Sequence, residues 1–171
     1  MKRIALMTGL VALSLSAFGA DLVEKVETEV FTTSGTAAQI TAKGKACMAE
    51  ILKNDNIGNS TTQNLFSYTG DDKLVATARF EYIYLLLRQS LQAKYIFEAK
   101  DGRFRITNTD IGYKQVKTSG TLGWGASVES STGHQPIAKV WGTGYEEAES
   151  QLLAMDKKIA DCVMSEKKSN W

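Results

Sequence analysis

Residues 91–106 constrain the fold of this chain more than any other stretch. Leu91, Ala93, Tyr95, Phe97 and Ala99 alternate with Gln92, Lys94, Ile96 and Glu98, the period of a strand with one face turned inward. Asp101-Gly102 follows, and Phe104 and Ile106 then alternate with Arg103, Arg105 and Thr107. An Asp-Gly pair between two alternating runs predicts a tight hairpin, here a type I′ turn with positive φ at both central residues. A pair of strands with one apolar face must have that face covered by another element.

Two segments are patterned to cover it. Over residues 37–53 the apolar Ile40, Cys47, Met48 and Ile51 recur at helical spacing, with Gly44 on the same stripe. Ser34 or Thr36 is placed to cap this helix, and Asn54, Asp55, Asn56 and Gly58 end it. Over residues 145–168 the stripe is Ala148, Leu152, Met155, Ile159, Cys162 and Val163. Glu146, Glu147 and Glu149 open that helix and Lys167 and Lys168 close it, matching the helix dipole at both ends. Alternation over residues 22–31 predicts a first strand, and residues 63–68 a short one. Gly70-Asp71-Asp72 is a turn; residues 74–87, with Val75, Phe80, Tyr82, Ile83 and Tyr84, favour a strand over a helix. The expected fold is therefore α+β. It is a twisted antiparallel sheet of four to six strands with two helices on one face, in the order β-α-β-β-β-β-α.

Residues 112–144 differ in character. They hold seven of the 14 glycines and the single proline, Pro136, and read as a long loop or loose hairpin. Segments of this kind in compact domains carry function or move. Tyr113, Trp124 and Trp141 lie there as candidate binding residues. Tryptophan is enriched at binding hot spots, although either ring could instead fold back over the sheet.

The first twenty residues carry an address. Lys2 and Arg3 precede an apolar run over residues 4–15, then small residues up to Ala20, and the first acid is Asp21. This is the layout of a secretory signal peptide; a cut before Ala20 puts small residues at both recognition positions, a cut after Ala20 would set Phe18 unfavourably three residues before the bond, and a cut after Ala17 is the alternative. The run is shorter than the roughly 20 apolar residues that span a bilayer. No cysteine stands near the junction, so a lipid anchor is not expected, and no later segment has the composition of a membrane span. Residues 21–171 then form one domain of about 150 residues in a periplasmic or secreted location. The whole chain carries a net charge of +1, and loss of Lys2 and Arg3 brings it to −1. That balance gives no global attraction to nucleic acid.

Cys47 and Cys162 are the only cysteines. An even pair in an oxidising compartment reads as one disulfide; two buried free thiols are the other reading. Both fall on the apolar stripe of a helix, so two helices side by side on one sheet face would let them meet.

Three stretches resemble a bacterial family of exported proteins described as a domain of unknown function with a TATA-binding-protein-like (TBP-like) fold. They are Ala46-Cys47-Met48-Ala49-Glu50-Ile51-Leu52, Gly70-Asp71-Asp72-Lys73-Leu74-Val75-Ala76, and residues 95–113 with their Lys100-Asp101-Gly102-Arg103 turn and closing Asp110-Ile111. The resemblance runs over residues 23–113. It implies the same β-α-β-β-β-β-α order, and it implies no activity. The glycine-rich segment after Tyr113 departs from the family pattern.

Catalytic chemistry is thin in these residues. His134 is the one histidine, so metal sites and hydrolytic triads would all depend on it; a solvated loop histidine is the plainer reading. No metal and no cofactor is expected, and Asp71-Asp72 lacks the following oxygen ligands of a calcium loop. Gly123-Trp124-Gly125 and Gly142-Thr143-Gly144 complete no phosphate-cradling motif, and Asn59-Ser60-Thr61 is a glycosylation sequon by pattern alone. If the chain were an enzyme, Glu98, Asp101 and Asp110 would be the carboxylates to inspect. Lys94, Lys100, Arg103, Arg105, Lys114 and Lys117 gather around the hairpin, as a solvated face or as an anionic contact surface. The expectation is a non-catalytic binding module that contacts a protein or envelope component through residues 112–144 and the strand bearing Arg103 and Arg105. An immunity-type inhibitor of an envelope-acting toxin and a structural envelope component are the alternatives.

Overall fold

A computed structural model describes residues 21–54, 65–85, 87–115 and 133–165. Residues 1–20, and with them the expected signal peptide, lie outside the described residues. The elements run β1 (Lys25–Glu27), β2 (Phe31–Thr32), α1 (Ala37–Asn54), β3 (Phe66–Thr69), β4 (Lys73–Tyr84), β5 (Leu87–Lys100), β6 (Arg103–Gln115), β7 (Gln135–Pro136) and α2 (Tyr145–Met164). They form the expected antiparallel sheet with two helices, in spatial order β1-β6-β5-β4-β3. The two-residue strands β2 and β7 also pair with β6.

The alternation foreseen for β5 and β6 holds. Leu91, Ala93, Tyr95, Phe97, Ala99, Phe104 and Ile106 are all buried on the inner face. The turn between them differs from type I′: φ is positive at Gly102 (75°) and not at Asp101. Asp101 is held instead by α1, because its Oδ1 accepts the N–H of Ala37 at 2.8 Å. The hairpin thereby supplies an N-terminal partner that the helix lacks within itself. Thr36 and Gln39 form a capping box there: the Thr36 N–H donates to Gln39 Oε1 (3.0 Å) and the Gln39 N–H to Thr36 Oγ1 (3.4 Å).

The first strand is not the continuous 22–31 run that its alternation suggested. Thr28 breaks it. Its backbone N–H still donates to the Ile106 carbonyl (3.0 Å), but the Ile106 N–H goes to the Thr28 Oγ1 (3.1 Å), so the side chain stands in for one bond of the ladder. The 74–87 run is also divided. Leu85, with φ 47°, turns β4 into β5, and the two strands pair from Lys73↔Glu98 to Tyr84↔Leu87. Residues 112–144 begin as β6 and return as β7, which pairs Gln135 with Tyr113 and Pro136 with Gly112. Residues 116–132 between them, Trp124 included, lie outside the described residues.

Both helices pack on the inner face, α1 over β4, β5 and β6, and α2 beside α1 and against β1. Gly44 permits the close approach of α1: a Cβ there would stand 2.7 Å from Phe97 Cζ. Phe97 stacks on Phe104 (5.0 Å between centroids) and Phe104 on Phe31 (5.2 Å), a row of rings across three strands. Cys47 and Cys162 are joined in a disulfide with Cα atoms 5.9 Å apart, fastening α1 to α2. No helix among the described residues is long and apolar enough to cross a membrane.

Candidate functional site

Both helices lie on one side, and among the described residues the other face of the sheet is left bare. Odd positions of β4, even positions of β5 and odd positions of the first half of β6 point there. Its charges form a ladder that follows strand register. Lys73 pairs with Glu98 (3.4 Å), and Arg105 donates to Glu98 Oε2 from Nε (3.0 Å) and Nη2 (2.9 Å). Arg105 Nη1 also reaches Glu27 (2.8 Å), which Lys25 contacts at 2.5 Å. The Arg105 guanidinium, helped by Lys73, holds the Glu98 carboxyl below its usual range against the opposing effect of burial. Lys25 and then Arg105 do the same for Glu27. Arg105, a candidate contact residue, is thus engaged within the sheet.

Arg103 and Lys100, which flank the Asp101-Gly102 turn, are exposed and carry no ion pair among the described residues. They border a groove of about 480 Å³ whose walls include Val30, Asp72, Lys73, Glu98 and Arg105. Among the described residues of the bare face, Lys25, Lys73, Arg79, Arg88, Lys94, Lys100, Arg103, Arg105 and Lys114 stand against Glu27, Asp72, Glu81, Glu98 and Asp110. Nine cations against five anions make a basic surface on a chain whose overall charge is close to zero. The acids sit elsewhere: α2 alone carries Glu146, Glu147, Glu149, Asp156 and Asp161.

The other candidate residues lie at the opposite end. Trp141 is wholly exposed, in a turn fixed by the Thr143 hydroxyl, which contacts the carbonyls of Ala138 and Val140 at 2.8 Å. Gly144, three residues on, packs against the Tyr84 ring where β4 turns into β5. Ile83 and Leu85 are 70% and 72% exposed at that end. The fourteen residues of β5 separate it from Arg103 by about 45 Å of strand. Tyr113 packs against the core. Trp141 and the basic strand therefore present two surfaces rather than one.

The carboxylates singled out for catalysis are dispersed. Asp101 caps α1, Glu98 sits in the charge ladder, and Asp110, with φ 50° at a bulge in β6, pairs with Lys94. His134 is not the solvated residue expected. It is half-buried, its Nε2 lies 3.2 Å from Ser90 Oγ, and burial, with Arg79 and Lys114 nearby, holds its pKa below the usual value. Sequence gave no hint of this contact, because the pairing of β6 with β7 creates it. A hydrolytic triad would also need a carboxylate on Nδ1 and donors for an oxyanion. Among the described residues no hydrogen bond links His134 to a carboxylate, and no group of three or more His, Cys, Asp or Glu side chains could hold a metal ion.

No family model matches this chain, and no curated protein does. Two solved structures share its architecture. A DUF4468 family protein from Bacteroides ovatus aligns over 84% of this chain and 88% of its own, with TM-score 0.55 and 10% identity. A TBP-like protein from Parabacteroides distasonis aligns over 84% and 94%, with TM-score 0.58 and 9% identity. The chain has the TBP-like fold. At these identities the likeness is one of fold.

Proposed function

We propose that this chain is an exported, non-catalytic interaction module that presents the bare face of its sheet to an anionic polymer of the cell envelope. The observation that carries this reading is the segregation of charge: among the described residues, nine cations and five anions on the sheet face away from the two helices. Such a field raises the local concentration of a polyanion and speeds its capture. The groove beside Lys100 and Arg103 is the natural point of contact, since those two cations are not committed to neighbouring acids. Export is supported by the leader-like residues 1–20 and by the disulfide, a bond that persists in oxidising compartments. Non-catalytic action is supported by the dispersal of Glu98, Asp101 and Asp110.

The test is a titration with a heparin oligosaccharide as a soluble polyanion, against neutral dextran. The wild-type protein should bind heparin with an affinity that falls steeply with salt. Lys100→Glu combined with Arg103→Glu should weaken binding by at least about tenfold, while Trp141→Ala leaves it unchanged. Loss of binding in Trp141→Ala alone would move recognition to the apolar end. Equal affinity for dextran would remove the electrostatic basis.

A further inference from the structure

Asp156 is an acid in the core. It sits mid-way along α2, has no solvent exposure, and projects toward β6, where Asn108 is equally buried. Asn108 Nδ2 donates to Asp156 Oδ2 at 2.5 Å. That one bond leaves two acceptors over: Asp156 Oδ1 and Asn108 Oδ1 are both buried with no hydrogen-bond partner. Two orphaned oxygens on two groups already joined through their other atoms is an expensive arrangement, because each buried acceptor forfeits its hydration. An ionised carboxylate would make it worse.

A single proton resolves both. We propose that Asp156 is protonated in the native protein, with its Oδ1–H donating to Asn108 Oδ1. The two side chains then close a cyclic acid–amide pair that latches α2 to the sheet. One bond runs from amide to acid and one from acid to amide, so every polar atom of the pair has a partner.

The surroundings favour the neutral form. β1 turns Val26 toward this layer and exposes Lys25 and Glu27 on the opposite face. β5 places the buried Tyr95 at the register position next to Asn108. α1 contributes Ile40, Thr41, Met48 and the Cys47 half of the disulfide to the interior, and on α2 itself Lys157, Lys158 and Asp161 are exposed. Among the described residues no cation is positioned to hold a charge on Asp156. Burial raises its pKa to about 7, and the Asn108 bond pulls only weakly the other way.

The sign follows from linkage. An acid whose pKa is higher folded than unfolded takes up a proton on folding between the two values. The folded protein keeps the Asp156 proton up to about pH 7, but its contribution to stability is full only below about pH 4, where the unfolded chain is protonated as well, and is lost as pH rises toward about 7. Above that it contributes nothing further to the slope. The fold is thus tightened by mild acid at the α2–sheet contact.

Asp156→Asn tests this, because two amides can close the same ring with no titrating proton. Denaturant unfolding of both proteins should be followed from pH 4 to pH 8. The wild-type folding constant should fall by up to tenfold per pH unit relative to Asp156→Asn within the window. Taking the difference cancels contributions shared by both proteins, such as those of His134, Glu27 and Glu98. Asp156→Asn should be the more stable of the two at pH 8. A difference that is flat with pH would overturn the proposal. So would carbon-detected NMR or infrared spectra showing the Asp156 carboxyl ionised at pH 5, a reading that does not depend on how the variant folds.

Discussion

Gly44 and Leu85 show how single residues set this fold. Gly44 lies on the apolar stripe of α1, yet its role is to be absent: a methyl group there would meet the Phe97 ring at 2.7 Å. Phe97 is itself locked in the row of stacked rings, so it has little room to give. Gly44→Ala should therefore destabilise by about 1–3 kcal/mol despite the better helix propensity of alanine; chemical denaturation measures it. Leu85 is the reverse case. It holds φ 47° with its side chain in solvent, a conformation disfavoured for a branched residue. Leu85→Gly removes the strain and loses little burial, so it should be neutral or stabilising by up to about 1 kcal/mol. A loss of stability greater than that would mean the side chain has a packing role. Neither residue was legible in sequence. The stripe could not show what lay opposite Gly44, and no Gly, Asn or Asp marked the turn at Leu85.

At the scale of elements, the sequence was most readable where periodicity is long. α1 follows its pattern nearly to the residue; β5 and β6 contain the alternating residues 91–107 but extend beyond them, back to Leu87 and on to Gln115; α2 starts where expected and runs to Met164, with Lys167 and Lys168 outside the described residues. Misreadings came where pairing overrode pattern. Thr28 divides the first strand through bonds to Ile106, and β7 exists only because β6 is there to receive it. The disulfide was legible because both cysteines sit on inward stripes. It closes a separation of 115 residues, so replacing Cys47 and Cys162 together with serine should cost about 4–5 kcal/mol in the chain-entropy account. The measurement is the unfolding midpoint of the double variant against the oxidised wild type. A difference below about 1 kcal/mol would place the strength of the α1–α2 contact in packing rather than in the bridge.

The whole molecule separates charge that its composition conceals. A net charge of +1 over 171 residues suggests no electrostatic role. The fold makes one by sending cations to the bare face of the sheet and acids to α2. That arrangement depends on strand register, which no one-dimensional count can show. Sequence did single out Arg103 and Arg105, and the structure divides their parts: Arg105 is bound to Glu98 and Glu27, while Arg103 beside Lys100 faces the groove. It also sets Trp141 at the far end of the molecule, so the two candidate surfaces can be told apart by where a ligand lands. The most direct measurement is an amide chemical-shift map of the protein titrated with heparin oligosaccharide. Binding at the basic face should shift amides of Lys73, Glu98, Lys100, Arg103 and Arg105 together and leave those of Val140, Trp141 and Gly142 in place. Shifts confined to Val140, Trp141 and Gly142, or none at low salt, would contradict the account.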